Sequence, residues 1–265
     1  MKRTSGIKSP AHHARPHAGT RQYALFGALV LLAATSASVA AADDGPGPLG
    51  VTAVAAVTAQ SARVGALFRA DKADDLAGHH FCTASVVHSP NRNLIVTAAH
   101  CLSGDSHLLF APGYRDGTAP YGVWEVKRRF LPDGWSKDQD EDSDLAFAVV
   151  ADQDGKGVED AVGGNRFVTG MATGATGVTV TGYPDSREVP ISCTNKPRSH
   201  SSTQQRIDCP GFTGGTSGSP WINGDREVVG VLGGHEEGGS TADTSYSVVL
   251  RTEAAQLYRD AAGDP

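Results

Sequence analysis

From residue 62 onward the chain alternates short apolar runs with Gly, Pro, Asn and Asp. Runs of that length between turn formers predict β-strands rather than helices. Six are expected over 63–68, 81–88, 94–98, 107–110, 122–131 and 145–150. The polar stretch 152–157 (Asp-Gln-Asp-Gly-Lys-Gly) reads as a linker. Six more strands are expected over 166–169, 177–182, 189–193, 205–209, 227–232 and 244–250, and 220–222 opens another. Only the tail, 252–259, has helical character, with Thr252 as its cap and Ala255, Leu257 and Tyr258 near one face. No long βαβ crossover is present. The pattern predicts an all-β fold of two six-stranded antiparallel β-barrels, 62–155 and 156–265, with a C-terminal helix.

The first 42 residues have a different texture. Lys2, Arg3, Lys8, Arg15 and Arg21 come without any acid, an apolar run begins at Tyr23, and small residues end at Ser38-Val39-Ala40. A basic start, an apolar middle and a small-x-Ala end predict a secretory signal peptide over 1–42. Its apolar part is short of the roughly 18–20 residues that span a bilayer, so no stable membrane association is expected. Residues 43–61, rich in Gly and Pro at their start, read as a propeptide or N-terminal extension. Loss of the leader takes the formal charge from −6 to −11. Such an acidic chain offers no electrostatic case for nucleic acid.

The 265 residues include 4 cysteines, an even count that fits a secreted, extracellular protein. Local spacing favours Cys82 with Cys101 and Cys193 with Cys209. No CxxC is present, which argues against a zinc ribbon or a redox dithiol.

The chemistry concentrates in three stretches. In Thr213-Gly214-Gly215-Thr216-Ser217-Gly218-Ser219-Pro220-Trp221, glycines allow backbone N–H groups to converge beside a serine hydroxyl. Acyl transfer needs that pairing of nucleophile and oxyanion donors. A serine also needs a base, and His100 closes the apolar run Val96-Thr97-Ala98-Ala99. The base needs an acceptor on its other ring nitrogen. Asp144 stands where the run 145–150 begins; Asp142 is the alternative, two residues further from that run.

With these residues the chain resembles the chymotrypsin-like (trypsin-fold) serine proteases, particularly their bacterial secreted branch. Val-Thr-Ala-Ala-His-Cys (96–101), Ser-Asp-Leu-Ala (143–146) and Gly-Thr-Ser-Gly-Ser-Pro (215–220) are similar to that family's histidine, aspartate and serine motifs. The order His, Asp, Ser is also the family's. The resemblance implies a secreted serine endopeptidase acting on polypeptides, with His100 as general base, Asp144 as its orienting acid and Ser217 as nucleophile. It implies an oxyanion hole from the amides of Gly215 and Ser217, and it matches the Cys82–Cys101 pair. The stretch before and including Gly233, Gly234 and His235 resembles the family's substrate-binding strand and its exit. His235 is then a candidate for lining the P1 pocket, although the glutamate-specific branch carries its histidine nearer Leu232. No cofactor and no metal are expected, and the chain is expected to act as a monomer.

Two departures from the family stand out. Thr216 replaces the aspartate that precedes the serine in the animal enzymes, so local hydrogen bonds must set the oxyanion loop. Six residues before Ser217, where trypsin carries its specificity aspartate, stands Gly211, with Asp208 nearby. His79, His80, His88, His107 and His200 are expected on the surface, and Trp124, Trp135 and Trp221 in packed positions. The acidic run 138–144 lacks the glycine and glutamate spacing of an EF-hand. A catalytically silent, protease-like binding module is the alternative function. An esterase on another scaffold fits less well, because no acid–base pair follows Ser217.

Overall fold

A three-residue strand, β1 (Thr52–Val54), comes first. The computed structural model describes residues 48–104 and 106–264, all within one compact unit spanning Asp44–Pro265. The expected signal peptide over 1–42 and residues 43–47 lie outside the described residues.

Six strands follow: β2 (Val64–Arg69), β3 (His80–Val87), β4 (Leu94–Thr97), β5 (Leu108–Pro112), β6 (Trp124–Phe130) and, after the short helix α1 (Asp133–Asp138), β7 (Ala146–Val150). They close into a barrel in the order β2-β3-β4-β7-β6-β5. Each lies within two residues of its expected position. Strand β7 shows why. Its side chains alternate between two apolar environments, so the whole run is buried. Ala146, Ala148 and Val150 join Leu67, Ile95, Phe110 and Trp124 inside the barrel. Leu145, Phe147 and Val149 instead meet Val228, Val231, Leu250 and Ala254 from the second half.

The second half begins with helix α2 (Val158–Val162), where the expected linker gives way to a turn and then a helix. It continues through β8 (Arg166–Phe167), β9 (Val178–Gly182), β10 (Ile191–Asn195), β11 (Arg198–Ser199), β12 (Gln204–Asp208), β13 (Pro220–Ile222), β14 (Glu227–Val231) and β15 (Thr244–Val248). The all-β expectation holds, but the ladder does not run unbroken around this half. One sheet has the order β1-β10-β9-β13-β14-β8 and a second the order β11-β12-β15. Side chains occupy the seam between them. Ser247 Oγ accepts from the Val231 amide at 2.9 Å, and Gln205 Nε2 donates to the Val229 carbonyl at 3.2 Å. Groups that would otherwise pair strand to strand are satisfied by these side chains instead.

Strand β1 falls inside the expected propeptide or extension. It pairs antiparallel with β10, Thr52 opposite Cys193. Both disulfides form as the spacing suggested, Cys82–Cys101 across 19 residues and Cys193–Cys209 across 16. Each contributes on the order of 3 kcal/mol by loop closure. The chain ends in α3 (Thr252–Ala262), where Thr252 is the first helical residue and not the cap; Arg251 holds that place without a side-chain bond. Trp124, Trp135 and Trp221 are buried as expected. No helix among the described residues is long and apolar enough to cross a membrane.

Candidate active site

The apolar strand β4 runs into the buried Ala98 and Ala99 and then a 3₁₀ turn, His100–Leu102. The disulfide from Cys101 to Cys82 on β3 pins that turn, and His100 emerges with its side chain 13% exposed. Beside it, Trp135 of α1 lies with its ring centroid 6.2 Å from the imidazole. The indole N–H is held by Ser103 Oγ at 2.8 Å.

Asp144 follows a second 3₁₀ turn, Glu141–Ser143, and is fully buried. Ser143 Oγ donates to Glu253 of α3 at 3.0 Å, which ties this turn to the C-terminal helix. A buried carboxylate needs donors. Asp144 has three: His100 Nδ1 at 2.7 Å and the Gly234 amide at 2.8 Å on Oδ2, and the His100 amide at 3.0 Å on Oδ1. Because a carboxylate only accepts, Nδ1 is the nitrogen that donates, and in the neutral imidazole Nε2 then keeps its lone pair. That is the tautomer a general base requires. Asp142 is engaged elsewhere, accepting from Gln204 Nε2 at 2.8 Å, and of the two aspartates it is Asp144 that meets His100.

The serine loop is braced on both sides. The Thr83 amide donates to the Ser217 carbonyl and the Gly218 amide to the Leu232 carbonyl, both at 2.7 Å. Thr83 adjoins Cys82, which is bonded to the neighbour of His100, and Leu232 precedes Gly233 and Gly234 at Asp144. Within the loop, the Thr216 amide and hydroxyl both donate to the Thr213 carbonyl, at 3.1 and 2.6 Å. Ser219 Oγ donates to the Thr216 carbonyl at 2.6 Å. These local bonds occupy the place where the animal enzymes use an aspartate. The amides of Thr216, Gly218 and Ser219 all donate within the protein. Those of Gly215 and Ser217 donate to no protein group among the described residues. Gly215 has φ +86, and a Cβ there would lie 2.5 Å from the Tyr183 carbonyl oxygen. Ser217 is half-buried, and no hydrogen bond joins its hydroxyl to His100 among the described residues.

Gly233 packs directly on the carboxylate; a Cβ would sit 2.8 Å from Asp144 Oδ2. His235 starts a 3₁₀ turn, Nδ1 lying 3.3 Å from Glu141 Oε2. Its ring stacks on His200 at 4.8 Å and meets Tyr246 edge-on at 4.9 Å. Gly211 is exposed. Asp208 faces Arg198 at 3.6 Å and accepts from Thr244 Oγ1 at 3.2 Å, so its carboxylate is already occupied. Cys82, His100 and Cys101 form a cluster of metal-ligand types, but the two sulfurs are joined and offer no thiolate.

One of the surface histidines is not on the surface. His80 is 4% exposed, enclosed by Phe68, Tyr114 and Tyr183. Burial is also the main reason the Tyr183 and Tyr114 phenols are pushed well above their usual range, with a hydrogen bond to Glu188 adding to it at Tyr114.

A family model described as a trypsin-like peptidase domain matches residues 82–231, which include all three proposed catalytic positions. The chain belongs to the trypsin-like peptidase family. Among solved structures, this trypsin-like peptidase domain is similar to the protease Anisep from Arthrobacter nicotinovorans. The identity is 28%, the TM-score 0.67, and the match covers 76% of this chain and 96% of that one. It is similar also to the thermostable serine protease AL20 from an extremophilic microorganism, at 26% identity and TM-score 0.67, covering 78% and 100%. A Glu endopeptidase shares the fold at 18% identity and TM-score 0.66, covering 83% and 99%. Human heparin binding protein shares it at 13% and 0.58, covering 82% and 98%. A search of curated proteins finds no match.

Two contributors to the site were not foreseen in the sequence. The sequence points Trp135 to packing alone, and no signal in it marks α1 as the element that carries this ring beside His100. The segment Tyr183-Pro184-Asp185 behind the serine loop carried only a turn-forming proline as a clue.

Proposed function

We propose that this chain is a secreted serine endopeptidase that cleaves polypeptides through an acyl-enzyme. The carrying observation is the buried Asp144 carboxylate on His100 Nδ1, which directs Nε2 of the neutral ring to the role of base. In this reading Nε2 takes the Ser217 proton as Oγ attacks the scissile carbonyl. The developing oxyanion is received by the amides of Gly215 and Ser217, and the imidazolium then protonates the leaving amine. Asp144 stabilises the imidazolium without itself taking the proton. That no hydrogen bond joins Ser217 to His100 among the described residues is compatible with this, since catalytic hydrogen bonds tighten when substrate binds. Gly233, Gly234 and His235 would flank the substrate. Two disulfides and the basic, apolar, small-residue leader support an extracellular location.

The test is covalent. A fluorophosphonate added to the folded, secreted protein at neutral pH is expected to label Ser217, and Ser217→Ala should take none. The absent Ser217–His100 hydrogen bond is the observation that favours a silent binding module, and a relative of this fold is named for heparin binding. An unlabelled wild type would decide for that reading.

For residues 43–61, the pairing of β1 with β10 supports an N-terminal extension over a discarded propeptide. Thr52 Oγ1 also donates to the Pro210 carbonyl at 2.5 Å, and Arg115 Nη2 to the Ala55 carbonyl at 2.6 Å. N-terminal sequencing of the active secreted form should therefore give a start at or before Gly50. An active form starting beyond Val54 would overturn this.

A further inference from the structure

His80 opens β3 two residues before Cys82, and its imidazole is enclosed by aromatic rings. Nε2 lies 2.9 Å from the Pro184 carbonyl oxygen, while Nδ1 is buried with no hydrogen-bond partner among the described residues. A carbonyl only accepts, so the proton is on Nε2. Leaving the other nitrogen unsatisfied in the core is costly, and a phenyl ring would fill the same space without that cost. What a phenyl ring lacks is the donor to Pro184.

Pro184 belongs to the segment Tyr183–Asp185, which backs the serine loop. The Tyr183 amide donates to Thr83 Oγ1 at 2.9 Å, and that hydroxyl donates to the Gly215 carbonyl at 3.0 Å. The Asp185 amide donates to the Gly214 carbonyl at 2.8 Å. A trans peptide unit directs its C=O and N–H to opposite sides. Holding the Gly214 carbonyl toward Asp185 therefore turns the Gly215 N–H the other way, off this wall. The two residues also approach closely: a Cβ on Gly215 would sit 2.6 Å from the Asp185 nitrogen.

We propose that His80 is a positioning residue for the oxyanion amides: by fixing the Pro184 carbonyl it holds the Asp185 N–H on Gly214 and so aims the Gly215 N–H. This rests on the serine-peptidase reading above. His80 touches no substrate, and its effect passes through one backbone segment to one peptide plane. An effect of that kind changes stabilisation of the tetrahedral intermediate and leaves ground-state binding alone.

The experiment compares wild type, His80→Phe and His80→Gln for kcat, KM, Ki of a peptide boronic acid and Ki of the matching product peptide. The boronic acid forms a tetrahedral adduct on the serine, whereas the product peptide does not need the oxyanion amides in the same way. His80→Phe is expected to lower kcat about 10–100-fold and to weaken the boronic acid by a similar factor. KM and the product Ki should stay within about twofold. His80→Gln, whose amide can donate from nearly the position of Nε2, should recover most of the loss. A purely structural role would lower Tm without this split. If His80→Phe does not accumulate folded, Thr83→Val cuts the same wall from β3 and must show the same split. A wild type that labels with fluorophosphonate, but whose variants keep kcat and boronic acid affinity or lose both inhibitors equally, overturns this proposal alone. A wild type that takes no label overturns the serine-peptidase reading and this proposal with it.

Discussion

Asp144→Asn is expected to lower kcat by about 10³–10⁴-fold while the protein stays folded. The carboxylate is fully buried and receives three N–H groups. An amide of the same shape brings no charge to stabilise the imidazolium. Whichever way it is turned, its NH₂ meets a donor: toward Oδ1 it faces the His100 amide, and toward Oδ2 it faces the Gly234 amide and the imidazole. In the second orientation the imidazole relieves part of the conflict by moving its proton to Nε2, and the base is lost. One buried donor then stays unsatisfied, a cost of about 1–3 kcal/mol in stability. Steady-state hydrolysis of a peptide substrate with a parallel thermal melt separates the two effects. A kcat within tenfold of wild type would remove Asp144 from the mechanism.

Gly218→Ala is expected to destabilise the fold by more than about 4 kcal/mol, enough to lower Tm by roughly 10 °C or to prevent soluble accumulation. The residue has φ +85, which an L side chain rarely adopts. An added Cβ would lie 2.0 Å from the Thr83 carbonyl oxygen and 2.1 Å from Thr97 Oγ1. Neither obstacle is a free side chain: Thr97 Oγ1 donates to that same carbonyl at 2.7 Å, and Thr83 sits in the barrel wall. The serine loop would have to lift off β3, taking Ser217 with it. Gly224→Ala is the control, since a Cβ there meets nothing within 4 Å. Equal melting temperatures for the two variants would contradict the packing argument.

Much of the molecule was legible before its structure. First-barrel strands appear where apolar runs lie between turn formers, because burying such a run on a sheet satisfies both its side chains and its backbone. His100 and Asp144 were legible as candidates because each stands at the edge of an apolar segment, and the structure brings the two side chains together. Helix α1 was not: Asp-Gly-Trp-Ser-Lys-Asp carries weak helix formers, and it closes on Gln139 in a left-handed conformation. Strand β1 has only three residues, too few for a period to show, and it exists because β10 offers an edge.

His80 marks the boundary most clearly. A histidine between a turn and a strand is usually solvated, and nothing near it in the chain says otherwise. Its burial comes from Tyr114 and Tyr183, 34 and 103 positions away in sequence, which reach it only once both halves of the chain have folded. By itself the sequence determined most of the strand pattern and favoured the two disulfides that form, and its resemblance to a protease family named candidates for base, acid and nucleophile. The strands and disulfides follow from spacing along the backbone. Only the tertiary structure decided which aspartate meets His100, which amides are left unpaired in the serine loop, and what stands behind them. Each of those depends on groups far apart in the chain competing for the same partner, and that competition is settled by three-dimensional packing.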